Sequence, residues 1–97
     1  MSWATRAIEQ LKKGETVKIR PRGNSMSGRI ESGNLVTIAP LTESPEKDDV
    51  VLCRVAGIEY LHLVKAVSGG RFLIGNNRGR VNGWTGTVYG KVIKVEA

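Results

Sequence analysis

Beyond residue 15 the chain is written in short runs that alternate apolar and polar side chains, each closed by glycine, proline or asparagine. A period of two places successive side chains on opposite faces of an extended backbone, so each run predicts a strand. Thr16–Arg20, Leu35–Ala39, Asp49–Val55, Ile58–Val67, 71–74 and Tyr89–Val95 fit this pattern, giving about six strands. Ala56-Gly57 and Ser68-Gly69-Gly70 are short enough to turn antiparallel hairpins, since glycine takes positive φ without steric cost. Only the start of the chain breaks the rule. Between Ser2 and Lys13, Trp3, Ala7, Ile8 and Leu11 recur at spacings of three and four, which predicts an amphipathic helix capped by Ser2 and stopped by Gly14. The expected fold class is mainly β: a coiled, barrel-like sheet with one N-terminal α-helix packed on it. Residues 1–97 form a single domain, with 1–14 as the helix and 16–95 as the β domain.

Two segments lie outside the strands. Pro40–Asp48 is a polar loop with two prolines and the most mobile candidate. Gly75–Gly86 is rich in glycine and asparagine, and twelve residues without strand pattern in so small a domain predict a functional loop.

Fifteen basic and nine acidic residues give a formal charge of +6, which favours anionic partners. Cys53 is the only cysteine, set among Val50, Val51, Leu52 and Val55, so it reads as a core thiol and no internal disulfide can form. No window is apolar enough to span a bilayer and the N-terminus lacks the apolar core of a signal peptide, making a cytoplasmic protein the default expectation. One histidine and one cysteine cannot assemble the usual zinc set, and phosphate-loop and dinucleotide patterns are missing. No metal and no cofactor are expected.

The chemistry concentrates at Arg22-Gly23-Asn24-Ser25-Met26-Ser27-Gly28-Arg29. Pro21 ends the first strand, and Gly23 and Asn24 allow a sharp turn that lifts Ser25 out of the backbone. Taken alone, such a serine can simply bond its own backbone. A nucleophilic serine needs a base at hydrogen-bond distance. His62 is the only histidine, on one face of its strand with Ile58, Tyr60, Val64 and Ala66. Lys65 is the other nearby base, but three residues along a strand it faces the opposite side unless a bulge intervenes.

The order of these pieces matters more than any one. Gly-Asn-Ser25-Met26-Ser is followed by Ser-Gly-Asn-Leu-Val-Thr-Ile, Asp-Asp-Val-Val-Leu-Cys-Arg-Val, Tyr60-Leu-His62-Leu-Val and Phe-Leu-Ile-Gly75-Asn76-Asn77. Over residues 16–95 this series resembles the serine peptidase clan of LexA-like repressors and type I signal peptidases. The resemblance implies a coiled β domain and a serine peptidase activity, with Ser25 as nucleophile beside Met26 and backbone amides around both as an oxyanion hole. It implies a base at His62, the position that holds lysine in most bacterial members and histidine in the endoplasmic-reticulum type. It also implies a protein or peptide substrate. The chain departs from the family at three places. Gly28 stands where proline is usual, Asn76 where the Gly-Asp-Asn box has aspartate, and Asn82 where a further aspartate is expected. Asn76 is then the residue expected to orient His62. Replacing a triad aspartate by asparagine costs about ten-thousandfold in turnover in the chymotrypsin type, so a weakly active or lapsed enzyme is expected. No membrane anchor and no DNA-binding domain are expected beside these motifs, unlike in signal peptidases and self-cleaving repressors. Ala56-Gly57 looks like a scissile pair but reads as a turn. A regulatory role, of the kind some relatives have in phages and mobile elements, is a further expectation.

The alternative is a non-catalytic binding module. Arg20, Arg22 and Arg29 flank the serine turn, and Arg78 and Arg80 lie in the long loop. If the loops meet, five guanidiniums converge on a patch suited to phosphate or carboxylate, as in nucleic acid or an acidic protein. Trp84 either stacks on a nucleic-acid base there or anchors the loop against the sheet.

Overall fold

The computed structural model describes residues 3–97. One short helix, α1 (Thr5–Lys12), is followed by seven strands: β1 (Val17–Ile19), β2 (Leu35–Pro40), β3 (Val50–Val55), β4 (Ile58–Ser68), β5 (Arg71–Gly75), β6 (Val81–Thr85) and β7 (Val88–Glu96). All pair antiparallel in one sheet of order β1-β2-β7-β3-β4-β5-β6. The mainly β expectation is met. The sheet is open, however, with β1 and β6 as its edges, instead of closing into a hydrogen-bonded barrel.

The sheet coils back on itself. At the far end of β6, the Thr85 hydroxyl donates to the Arg54 carbonyl on β3 at 2.6 Å, and the Arg54 amide donates to the Thr87 carbonyl at 3.1 Å. Coiling covers both faces of β3. Val50 and Leu52 enter a core with Ala7, Ile8 and Leu11 of α1, whereas Val51, Cys53 and Val55 enter a second core with Val64, Phe72 and Ile74. A strand covered on both sides must be apolar nearly throughout, which explains the Val-Val-Leu-Cys run. Burial pushes the Cys53 thiol up to about 12, so it is an inert core group.

Several boundaries differ from expectation. The helix begins at Thr5, with Ala4 at its N-terminal boundary and no side-chain cap there; Ser2 lies outside the described residues. Trp3 precedes the helix and is 55% exposed, so only Ala7, Ile8 and Leu11 form the buried stripe. The segment 75–86 is not one loop: residues 76–80 turn a hairpin and Val81–Thr85 add a seventh strand. Ala56-Gly57 and Gly69-Gly70 are two-residue turns with positive φ at both positions, as the hairpin reading requires. The C-terminal end of the loop before β3 is tied to β4, because the Asp48 amide donates to the Val64 carbonyl and the Val64 amide donates to the Asp49 carbonyl.

Candidate active site

Ser25 opens a compact turn between β1 and β2. The Ser27 amide donates to the Asn24 carbonyl at 3.1 Å, and the Arg29 and Ile30 amides both donate to the Met26 carbonyl. Met26 and Ile30 bury their side chains in the α1-side core, leaving Ser25 exposed above them. Gly28 has φ +94°, which proline, held near −65°, cannot adopt. The turn therefore excludes proline at this position, and glycine takes that φ without steric cost. A β-carbon at Gly28 would stand 3.1 Å from Asn77 Nδ2. The turn is clamped from across the site, since the Asn77 amide donates to the Ser25 carbonyl at 2.9 Å and Asn77 Nδ2 donates to the Ser27 carbonyl at 2.7 Å. The expected meeting of the two loops therefore occurs, and Asn77 makes it.

His62 lies on β4, 9% exposed, with its Nε2 3.2 Å from Ser25 Oγ and its Nδ1 2.7 Å from Asn82 Oδ1. An amide oxygen accepts only, so Nδ1 carries the proton and Nε2 is left as the acceptor facing the serine hydroxyl. The Tyr60 ring stacks on the imidazole at 5.0 Å between centroids. Burial pushes the His62 pKa below its usual value; the bond to Asn82 opposes this, while the positive charges of Arg80 and Lys65 add to it. The imidazole is thus held neutral, in the tautomer a general base needs.

Asn82, not Asn76, orients the histidine. Asn76 Oδ1 accepts from the amides of Arg78 and Arg80 at 2.8 and 2.9 Å, so it organises the hairpin instead. Asn82 reaches His62 because the β5–β6 register skips it: Ile74 pairs with Gly83 and Gly75 with Val81. Such a bulge re-aims one side chain, and periodicity in the sequence carries no sign of it. A second bulge falls between Val64 and Ala66 on β4, at Lys65. Even so, Lys65 makes no hydrogen bond to Ser25 among the described residues; its stem packs by Gly75, where an added β-carbon would sit 2.9 Å from Lys65 Cε. Of the two bases weighed from the sequence, His62 is the one at the serine.

A cleft of about 510 Å³ opens at Ser25 and His62, walled by Ile19 at the end of β1 and Arg20 to Gly23 after it, by Met26 and Ile30, by Tyr60 and Leu61, and by Trp3. Two carboxylates border it, and both are engaged within the protein. Glu31 accepts from the Gly28 amide at 2.7 Å, and Glu59 pairs with Arg54 at 2.6 Å. Among the described residues, the Ser25 and Met26 amides have no acceptor.

Only two of the five arginines line the cleft. Arg20 and Arg22 line the cleft, but Arg20 Nη1 donates to the Gly33 carbonyl and Arg29 Nη2 donates to the Asp48 carbonyl, both at 2.8 Å. Arg78 and Arg80 sit on the β5–β6 hairpin and do not line the cleft. Trp84 is 44% exposed on β6 opposite Leu73, outside the cleft, so it neither anchors a loop nor faces the serine. Among the described residues, no group of three histidine, cysteine or acidic side chains gathers as a metal site, and no helix is long and apolar enough to cross a membrane. No known family model matches the chain, and no curated protein matches it.

Proposed function

We propose that this domain is a serine acyl-transfer enzyme of the peptidase type, working slowly through Ser25, His62 and Asn82. The observation that carries the reading is the hydrogen-bonded series Asn82 Oδ1–His62 Nδ1 and His62 Nε2–Ser25 Oγ, assembled from three separate parts of the fold. His62 takes the Ser25 proton as Oγ attacks the carbonyl carbon of a bound substrate, then returns it to the leaving group. The uncommitted Ser25 and Met26 amides are the candidates to stabilise the developing oxyanion. Asn82 fixes the tautomer but bears no charge to offset the imidazolium, which makes turnover slow. The motif order supports a kinship with the LexA-like and signal peptidase clan, and the end of edge strand β1 along the cleft suits an extended peptide added as a further strand. The binding-module alternative has less support, because only two of its five arginines line the cleft.

Intact-mass detection of a fluorophosphonate adduct tests this. One adduct should form on the wild-type protein, map to Ser25, and disappear in both Ser25→Ala and His62→Ala. A folded wild-type protein that takes no adduct, or a His62→Ala variant labelled at the wild-type rate, sinks the proposal.

A further inference from the structure

The residue that orients the base is also the most chemically labile amide in the chain. Of the asparagines, Asn24, Asn34, Asn76 and Asn77 precede serine, leucine, asparagine and arginine, and only Asn82 precedes glycine. Glycine has no side chain to block the approach of its own amide nitrogen to the preceding side-chain carbonyl. We propose that Asn82 is a site of spontaneous deamidation, and that the aspartate formed completes a Ser-His-Asp triad at Ser25.

The chemistry needs only water. The Gly83 nitrogen gives up its proton and bonds to Asn82 Cγ, and the adduct expels the side-chain nitrogen as ammonia, leaving a five-membered cyclic imide. Water then adds at Cγ and breaks the new Cγ–N bond, which restores the backbone and leaves a carboxylate. The balance is one water consumed and one ammonia released.

Three features of the fold favour this. The bulge leaves Asn82 outside the pairing register, and β6 is an edge strand with a ladder partner on one side only, where local opening costs least. Asn82 and Gly83 are both partly exposed, so water reaches them. His62 Nδ1–H donates to Asn82 Oδ1 at 2.7 Å, which polarises the carbonyl under attack. The same donor then serves the product, because a hydrogen bond to a carboxylate is about twice as strong as one to a neutral amide. Like an aspartate beside a catalytic histidine, that carboxylate would stabilise the imidazolium formed during acylation.

The conversion stands by itself, whereas its activating effect rests on the acyl-transfer reading above. Freshly purified protein is incubated at mildly alkaline pH, beside a urea-unfolded sample as a clock and an Asn82→Gln variant whose longer side chain cyclises poorly. Cleavage N-terminal to aspartate, read by peptide mass, distinguishes aspartate from the isoaspartate that arises if water adds at the backbone carbonyl. The expected result is aspartate at position 82, with fluorophosphonate labelling of Ser25 rising in step toward the Asn82→Asp rate. That rate should exceed the fresh wild-type rate at least tenfold, with a ceiling of about ten-thousandfold; Asn82→Gln should show no rise with time. Absence of conversion in the folded protein while the unfolded chain converts overturns the proposal, as does isoaspartate alone or an Asn82→Asp protein that labels no faster. If neither protein labels at all, the acyl-transfer reading and the activation fall together, while the mass data still decide whether Asn82 converts.

Discussion

Burial and the charges of Arg80 and Lys65 act on His62 in one direction, and the hydrogen bond from its Nδ1 to Asn82 acts in the other. The net depression has two measurable consequences. As the base must be neutral to accept the Ser25 proton, labelling should rise with pH through a midpoint below the ordinary histidine value of about 6.5 and level off above it. The stability consequence has a definite sign. Between the lowered folded pKa and about 6.5, the unfolded chain binds more protons than the folded one, so stability is full above that window and lost as pH falls through it. Urea midpoints from pH 7.5 down to 5 should show this decline, and a His62→Gln variant should show less of it. A labelling midpoint above the ordinary histidine pKa rules out this account of the site. At this scale the sequence was partly legible. Ser25 stood out because glycine and asparagine precede it, and His62 because it has no rival histidine. Asn82 stood out only as a missing aspartate; its role depends on a bulge that displaces one residue from an otherwise regular ladder.

The site is positioned by elements that meet at glycines. Gly75 ends β5, where an added β-carbon would lie 2.5 Å from the Arg80 carbonyl oxygen as well as against Lys65. The backbone there closes the hairpin through the Asn76 amide, which donates to the Arg80 carbonyl at 2.9 Å. Gly75→Ala has no room without moving that hairpin. It should cost about 1–3 kcal/mol, the usual range for overpacking, and slow Ser25 labelling because Asn77 and Asn82 both follow from the hairpin. Urea unfolding and labelling rates measured on one preparation check both halves; an unchanged labelling rate in a destabilised protein would mean the hairpin does not set the site. Six of the seven strands were readable, since each carries apolar residues in alternation or a continuous buried run. β6 was not. Val81-Asn82-Gly83-Trp84-Thr85 buries only Thr85, and an edge strand with one polar and one half-exposed aromatic position has no periodicity to detect.

Across the whole molecule, the two halves of the site rest on different cores. Met26 and Ile30 anchor the Ser25 turn in the core covered by α1, whereas Tyr60 and Val64, on the same face of β4 as His62, pack in the core enclosed when the sheet coils over β3. β3 joins the two, with Leu52 fully buried in one and Val51 and Cys53 in the other. A strand shared in this way makes independent melting of either core costly, because losing one exposes a face of β3 to water. The protein should therefore unfold as one unit. Trp3 and Trp84 are the only tryptophans, at the α1 side and on edge strand β6. Their summed fluorescence and far-ultraviolet circular dichroism should give coincident urea transitions. Leu52→Ala and Val64→Ala, one in each core, should each shift that single transition, Leu52→Ala by about 2–5 kcal/mol and Val64→Ala by somewhat less. Both should also slow Ser25 labelling, since the 3.2 Å approach of His62 to Ser25 spans the junction between the cores. Two separated transitions, or a Val64→Ala variant with an unshifted midpoint, would show instead that the cores fold independently and that the serine and its base are held together only by the loops that touch at Asn77.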